Sequence, residues 1–316
     1  MNFRKNFTYL KVFFFLFFTF NLAAQQSYIQ LKEVAIEVAN IRKNLADNAG
    51  FTIESQTLAT EIAALETTTL TPPIIPDKAI GFNPVPIDIA TNPHVAALYV
   101  WAEDYLTQPE PNYAKSTLTA QVFPAGGHEE TRELGRVVER LIWLTLSPQS
   151  RYQFHPLLFK KLLLIVYATS DDYLLFGTGG GPDVTPLDDW FAAPGAAYSW
   201  KIVVSSFGQF LPPFLKKRIE DASDKMGQLF YERSLREMVS STSYPSGYAT
   251  YCNRDISFAE ILVNSGQFRN NQTWLDRGNL IIGLVLSPFV LYPDGAYAYI
   301  GNQNEVASYH GATTNS

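Results

Sequence analysis

Apolar residues recur three or four positions apart along most of this chain, which is the spacing of one face of an α-helix. The pattern predicts an N-terminal pair of helices at 27–48 and 53–68, separated by Gly50. Further helices are predicted at 93–105, 129–146, 155–169, 196–210, 212–240, 255–265 and 272–286. No series of strands or of alternating strands and helices is visible. We therefore predict a mainly α-helical fold of successive hairpins, arranged as a closed or partly closed array or as an open superhelix.

A stretch rich in threonine and proline, "TTTLTPPIIPDKAIGFNPVPIDIATNP", interrupts the helical pattern, because proline removes a backbone donor and fixes φ. We interpret 71–92 as a linker or long surface loop. It follows an N-terminal helical hairpin at 25–70 and precedes the main domain at 93–316.

The first residues have a different character from the rest. Arg4, Lys5 and Lys11 precede the apolar run "VFFFLFFTF", and small residues follow at Ala23 and Ala24. This pattern predicts a signal peptide at 1–24 and a secreted or periplasmic protein. The apolar run is too short to span a bilayer, and no later stretch is long enough, so we expect no membrane span in the mature protein. Cys252 is the single cysteine, which excludes an internal disulfide.

The charge balance argues against a nucleic-acid partner. Without the three basic residues of the predicted signal peptide, 21 basic residues face 30 acidic ones, a net charge near −9. An anionic ligand would therefore need a local basic cluster. "LPPFLKKR" offers Lys216, Lys217 and Arg218 near a helix start, either as a solvated helix face or as a subsite for an anion.

Motifs for cofactors and metals are weak. "GTGGGPD" (Gly177 to Asp183) lacks the Lys and Ser/Thr of a phosphate-binding loop. "HEE" at His128 lacks the second histidine of a zinc-binding helix, and His94, His155 and His310 are scattered. We predict no cofactor and no metal.

Aromatic and amide residues give the more specific signal. Trp190 in "PLDDWFAAPGAAYSW" lies at a loop-to-helix junction, where an indole either belongs to the core or faces a flat partner such as a sugar ring. Asn253 in "YPSGYATYCNRDISFAEILV" is either a helix N-cap or a site residue. Helical hairpins bring successive turns to one end of the array, which would place Asn253 and Tyr309 across one cleft.

Three stretches resemble polysaccharide lyase family eight, the chondroitin AC, hyaluronate and xanthan lyases. They are "DDWFAAPGAAYSW", "YCNRDISFAEIL" and "DGAYAYIGNQNEVASYHG". The first is similar to the family's aromatic cleft segment, the second to its asparagine segment and the third to the segment of its catalytic His and Tyr. The resemblance runs from about residue 90 to the end and implies an all-α, incomplete (α/α) toroid of helical hairpins.

The family's chemistry is β-elimination of a uronic acid in a polysaccharide. The resemblance implies that Asn253 neutralises the sugar carboxylate and that Tyr309 serves as base and acid by turns. Tyrosine has a pKa near 10, so nearby positive charge must lower it. We assign Tyr309, Asn253 and His310 to catalysis, and Trp190, Arg254 and Tyr297 to binding of an acidic polysaccharide.

The resemblance has one clear departure. Ile300 stands nine residues before Tyr309, where the family has its histidine, and His310 is a candidate replacement from a different backbone position. The family's arginine and its β-sandwich domain would lie beyond Ser316, so we expect a divergent lyase domain truncated relative to a complete enzyme. A non-catalytic protein that binds acidic polysaccharides and a helical interaction scaffold are the alternatives.

Overall fold

Every element that the structure describes with regular backbone geometry is a helix. The structure is a computed structural model that describes residues 29–69, 71–73, 92–110, 128–176, 193–237 and 252–285. Within these ranges the helices are α1 (29–48), α2 (Thr52–Thr67), α3 (Pro93–Thr107), α4 (His128–Leu146), α5 (Pro156–Phe176), α6 (Ala193–Phe207), α7 (Pro213–Glu237), α8 (Cys252–Arg269) and α9 (Gln272–Val285), with a short 3-10 turn at Gly208–Phe210 after α6. The predicted all-α class is confirmed for these residues, and the toroid arrangement stays a prediction.

The described residues divide into two compact units. The first holds those within Met1–Pro111, Arg140–Leu164 and Val204–Lys216, and the second holds those within Asn112–Glu139, Ile165–Val203 and Lys217–Ser316. The boundaries at 25–70, 71–92 and 93–316 remain predictions about domains. In the described ranges, no helix is long and apolar enough to cross a membrane.

An ion pair and apolar packing together hold the two helices of the N-terminal hairpin in the first unit against each other. Gly50 adopts a positive φ of 74° between α1 and α2, a conformation that glycine reaches without steric cost. Arg42 pairs with Glu54 across the hairpin at 2.6 Å, and both side chains are largely buried. The apolar face of the hairpin is buried through residues such as Leu31, Val38, Leu58 and Ile62.

Helix ends in the first unit take their partners from other helices. The backbone N–H of Phe214 at the start of α7 donates to Glu61 Oε2 of α2 at 2.8 Å, directly after Pro213 at the first helical position. At the end of α3, Lys161 Nζ donates to the carbonyl oxygens of Tyr105 and Gln108. These bonds provide partners for terminal backbone N–H and C=O groups that have none within their own helix.

The second unit has an aromatic core. The Trp200 side chain is 0% exposed, and its Nε1 donates to Thr169 Oγ1 at 3.1 Å. Tyr173 meets Trp200 edge to face, and Phe230 meets Phe258 in the same way at a centroid distance of 5.2 Å. Trp200, the second tryptophan of the "DDWFAAPGAAYSW" segment, is therefore a core residue.

Helices α5 and α8 extend furthest beyond their predicted ends. Helix α5 continues to Phe176 because Thr169 and Ser170, which look like terminating residues, are buried and donate their hydroxyls to carbonyls within the same helix. Helix α8 continues to Arg269 because Gly266 packs tightly against Leu275 of α9. In both cases packing overrides the local preference of the residues.

Candidate functional site

Polar side chains of α6 and α8 meet within the second unit. Tyr198 and Lys201 lie one turn apart on α6, and Glu260, Asn264 and Gln267 follow the i, i+4, i+7 spacing of one face of α8. We refer to these five residues as the Lys201 cluster.

Glycine contact explains why a third helix comes close to this cluster. Gly195 of α6 lies against Gly135 of α4, so near that a methyl group on Gly195 would overlap Gly135 Cα. Glu139 follows Gly135 by one helical turn and Tyr198 follows Gly195 by nearly one turn. The close approach therefore brings the charge of Glu139 to the cluster, where it acts electrostatically on both Tyr198 and Glu260.

Side-chain amides, and not carboxylates, hold the ammonium group of Lys201. Its Nζ donates to Asn264 Oδ1 at 2.8 Å and to Gln267 Oε1 at 2.6 Å. These two bonds use two of the three N–H donors of the ammonium. Asn264 is nearly buried, at 8% exposure, so it fixes the position of the Lys201 head group.

Other polar atoms of the cluster have no hydrogen-bond partner among the residues that the structure describes. They are the Tyr198 hydroxyl, the Glu260 carboxyl group, Asn264 Nδ2 and Gln267 Nε2. Tyr198, Lys201 and Glu260 are half-buried and Gln267 is exposed, so these atoms are within reach of solvent and solutes. The cluster therefore offers hydrogen-bond donors and acceptors that the described fold does not use.

The pKa shifts in the cluster all favour neutral groups. Burial and then the charge of Glu139 raise the pKa of Glu260, although Lys201 opposes this. Burial lowers the pKa of Lys201. Burial, Glu139 and Glu260 together raise the pKa of Tyr198, so its hydroxyl is a donor and a poor base. The cluster consequently lacks the lowered tyrosine pKa that uronate elimination requires, and its chemistry fits binding.

A second group of aromatic and charged side chains lies in the first unit. The Tyr99 hydroxyl accepts from the backbone N–H of Arg151 and donates to the carbonyl of Gln149, and the Arg151 guanidinium lies 4.4 Å from the centre of the Tyr99 ring. Arg151 also forms an ion pair with Glu103. These side chains bond to one another and to the loop that precedes α5. They therefore attach that loop to α3.

Of the predicted site residues, the structure describes the backbone of two. Asn253 and Arg254 lie in the first turn of α8, which begins at Cys252, so Asn253 lies inside the helix and not before it. Trp190, Tyr297, Tyr309 and His310 lie outside the described residues, as does Ile300. The predicted meeting of Asn253 and Tyr309 therefore stays a prediction.

The basic run near the start of α7 is paired within the protein. Arg218 forms an ion pair with Asp171 of α5, and Lys217 pairs with Asp221 one turn further along α7. These contacts favour the structural interpretation of "LPPFLKKR" over an anion subsite. The ranges described contain no group of three or more His, Cys, Asp or Glu residues that could hold a metal ion.

Sequence reasoning missed the Lys201 cluster. Its signal is the spacing of Glu260, Asn264 and Gln267 on α8, which places polar side chains along one face beside buried residues such as Phe258 and Ile261. Comparisons with protein-family models, curated proteins and solved structures found no match for this chain.

Proposed function

We propose that the protein is a lyase-like protein that binds a uronic-acid-containing polysaccharide and cleaves it by β-elimination. The observation that carries the proposal is the position of Asn253 in the first turn of α8, within a run of helices that follow one another in the predicted order. A side chain at a helix start lies near the free N–H groups of the first turn, where a carboxylate is stabilised by the helix dipole. This supports a role for Asn253 beside the carboxylate of a uronate.

In the proposed reaction, Tyr309 removes the C5 proton of the uronate while Asn253 stabilises the charge that develops on the carboxylate. The C4–O bond breaks, a C4=C5 double bond forms, and the departing oxygen takes a proton from the tyrosine. His310 is the proposed replacement for the histidine that the resemblance places at Ile300. Arg254, Trp190 and Tyr297 are proposed to bind the chain of sugars, and the predicted signal peptide supports secretion or a periplasmic location.

Ile300 favours a second candidate function. An isoleucine can neither accept a proton nor donate a hydrogen bond, so a site with Ile300 in place of histidine is suited to binding without turnover. In this alternative the protein retains the polysaccharide through Trp190 and does not cleave it. A helical interaction scaffold would retain no polysaccharide at all.

The elimination is tested by the ultraviolet absorbance of the unsaturated uronate that it produces. The full chain is incubated with hyaluronan, chondroitin sulfate, xanthan and polygalacturonate, beside Tyr309→Phe, Asn253→Ala and Ile300→His. We expect slow turnover of one polymer, a loss of about 100-fold or more in Tyr309→Phe and in Asn253→Ala, and a gain in Ile300→His.

The outcomes separate the candidates. Absorbance that stays flat for every polymer, including with Ile300→His, contradicts elimination. Retention of an acidic polymer in an affinity gel, lost in Trp190→Ala, would then support the binding protein. Absence of both turnover and retention would leave the scaffold.

A further inference from the structure

We propose that the Lys201 cluster, comprising Tyr198, Lys201, Glu260, Asn264 and Gln267, is a subsite for a neutral, hydroxyl-rich sugar unit. The inference rests on the proposed function in one respect, namely that the ligand is a polysaccharide. It adds a position on α6 and α8 where the chain takes a sugar without a carboxylate, and it uses none of the residues proposed for catalysis.

The hydrogen-bonding groups of the cluster suit sugar hydroxyls. Glu260 supplies acceptor oxygens, and Asn264 Nδ2, Gln267 Nε2 and the third N–H of Lys201 supply donors. A sugar hydroxyl donates one hydrogen bond and accepts others, so adjacent hydroxyls are satisfied by a mixed set of this kind. The Tyr198 side chain adds a donor hydroxyl and an apolar ring of the type that packs on sugar faces.

The carboxyl groups in and beside the cluster disfavour an anionic sugar. Lys201 contributes one positive charge, while Glu260 and the neighbouring Glu139 both carry carboxyl groups that interact with each other and with Tyr198. A uronate would bring a further carboxylate next to these two, which is electrostatically unfavourable in a half-buried site. A sugar unit without a carboxylate avoids that repulsion.

Close contacts hold these groups in place before binding, so little ordering is needed when a ligand binds. Lys201 is fixed by two amide oxygens, and one of the two amides belongs to the nearly buried Asn264. Helix α6 is held against α4 by the contact of Gly195 with Gly135, and α8 is held against α9 by Gly266 and Gly278.

Protection of Lys201 from acylation tests the subsite directly. The full chain is treated with a small amine-acylating reagent, and modification is mapped by mass spectrometry with and without chitotetraose, cellotetraose, hyaluronan and polygalacturonate. We expect several-fold protection of Lys201 by hyaluronan and by at least one neutral tetrasaccharide, with none by polygalacturonate. Lys217 is the control, because its side chain is 63% exposed and pairs with Asp221 of its own helix.

Two variants sharpen the test. Gln267→Ala removes an exposed amide and should weaken binding of the protecting tetrasaccharide by about 2- to 10-fold, the effect of one hydrogen bond. Gln228→Ala removes an exposed amide on α7 that bonds Glu232 instead, and should leave binding unchanged. We expect Asn264→Ala to weaken binding more than Gln267→Ala does. If Asn264→Ala folds poorly, Gln267→Ala still tests the subsite.

The inference is overturned if neither of the two neutral tetrasaccharides protects Lys201 from acylation. Equal protection by polygalacturonate would overturn the preference for a neutral unit. The elimination assay depends on Asn253 and Tyr309, so a flat absorbance trace with intact Lys201 protection would remove the proposed reaction and leave the subsite standing.

Discussion

The ammonium groups of Lys161 and Lys201 are both withdrawn from water, but they bond to different kinds of oxygen. Lys161 in the first unit is 0% exposed and donates to the backbone carbonyls of Tyr105 and Gln108. Lys201 in the second unit is half-buried and donates to the side-chain amides of Asn264 and Gln267. Burial lowers the pKa of both lysines. The difference indicates which cation completes the fold and which is available to a ligand.

Backbone carbonyls at a helix end require a donor, whereas side-chain amides can bond to water or to a ligand. The arrangement of Lys161 recurs in both units. Lys32 donates to Glu66 and Thr68 at the end of α2, and Lys225 donates to carbonyls in the last turn of α5. Helices α2, α3 and α5 have no basic residue in their own last turn, so a lysine from another helix supplies the favourable charge.

The largest effect is expected for Lys161→Met. The substitution keeps an unbranched apolar stem and removes the donor, leaving two carbonyls at the end of α3 without their charged partner. We expect a loss of about 2–3 kcal/mol in the free energy of unfolding, measured by chemical denaturation. Lys217→Met is the matched control, since it removes only an exposed pair on one helix and should cost less than about 0.5 kcal/mol. Equal losses in the two variants would contradict the structural role of Lys161.

A smaller effect is expected for Gly195→Ala, which probes the helix contact beside Lys201. The new methyl group overlaps Gly135 Cα, and a backbone cannot move aside as a side chain can. We expect a loss of about 1–3 kcal/mol in thermal or chemical denaturation. Gly283→Ala, where the methyl group meets nothing within 4 Å, should instead gain up to about 1 kcal/mol from helix propensity. If Gly195→Ala and Gly283→Ala changed the free energy of unfolding in the same direction, the close approach would not constrain α6.

The helices themselves were predictable because their signal is local and repeated. The apolar spacing that predicted a helix at 272–286 matches Gln272–Val285, and the pattern at 129–146 matches His128–Leu146. The errors lie at ends such as Thr169, where the hydroxyl bonds back to its own helix and accepts from Trp200, a partner far along the chain.

The candidate site was harder to predict because it depends on contacts between distant helices. Lys201 meets Asn264 across 63 positions of sequence, and Glu139 comes near them on a helix whose Gly135 lies against Gly195. Single glycines on two helices carry no local sign that they face each other. Asn253 was singled out through its neighbours in the sequence, but the predicted start of its helix at 255 was wrong, because α8 already begins at Cys252 and includes Asn253 in its first turn.

The smallest effect is expected for Glu260→Gln, which tests the electrostatics of the Lys201 cluster through pH. Burial and Glu139 raise the pKa of Glu260 in the folded state, so ionisation of this carboxyl group destabilises the fold. The wild-type contribution is therefore favourable at a pH below the ordinary value of 4.5 and is lost as pH rises through the folded pKa. Glutamine resembles the protonated form, so the variant should be the more stable protein at pH 7, and the difference should vanish near pH 4. Denaturation at both pH values measures it, with Glu232→Gln on the exposed face of α7 as the matched control variant. A variant that is less stable than wild type at pH 7 would mean that Lys201 outweighs burial and Glu139, and that the cluster holds a firm ion pair instead of groups open to a neutral sugar.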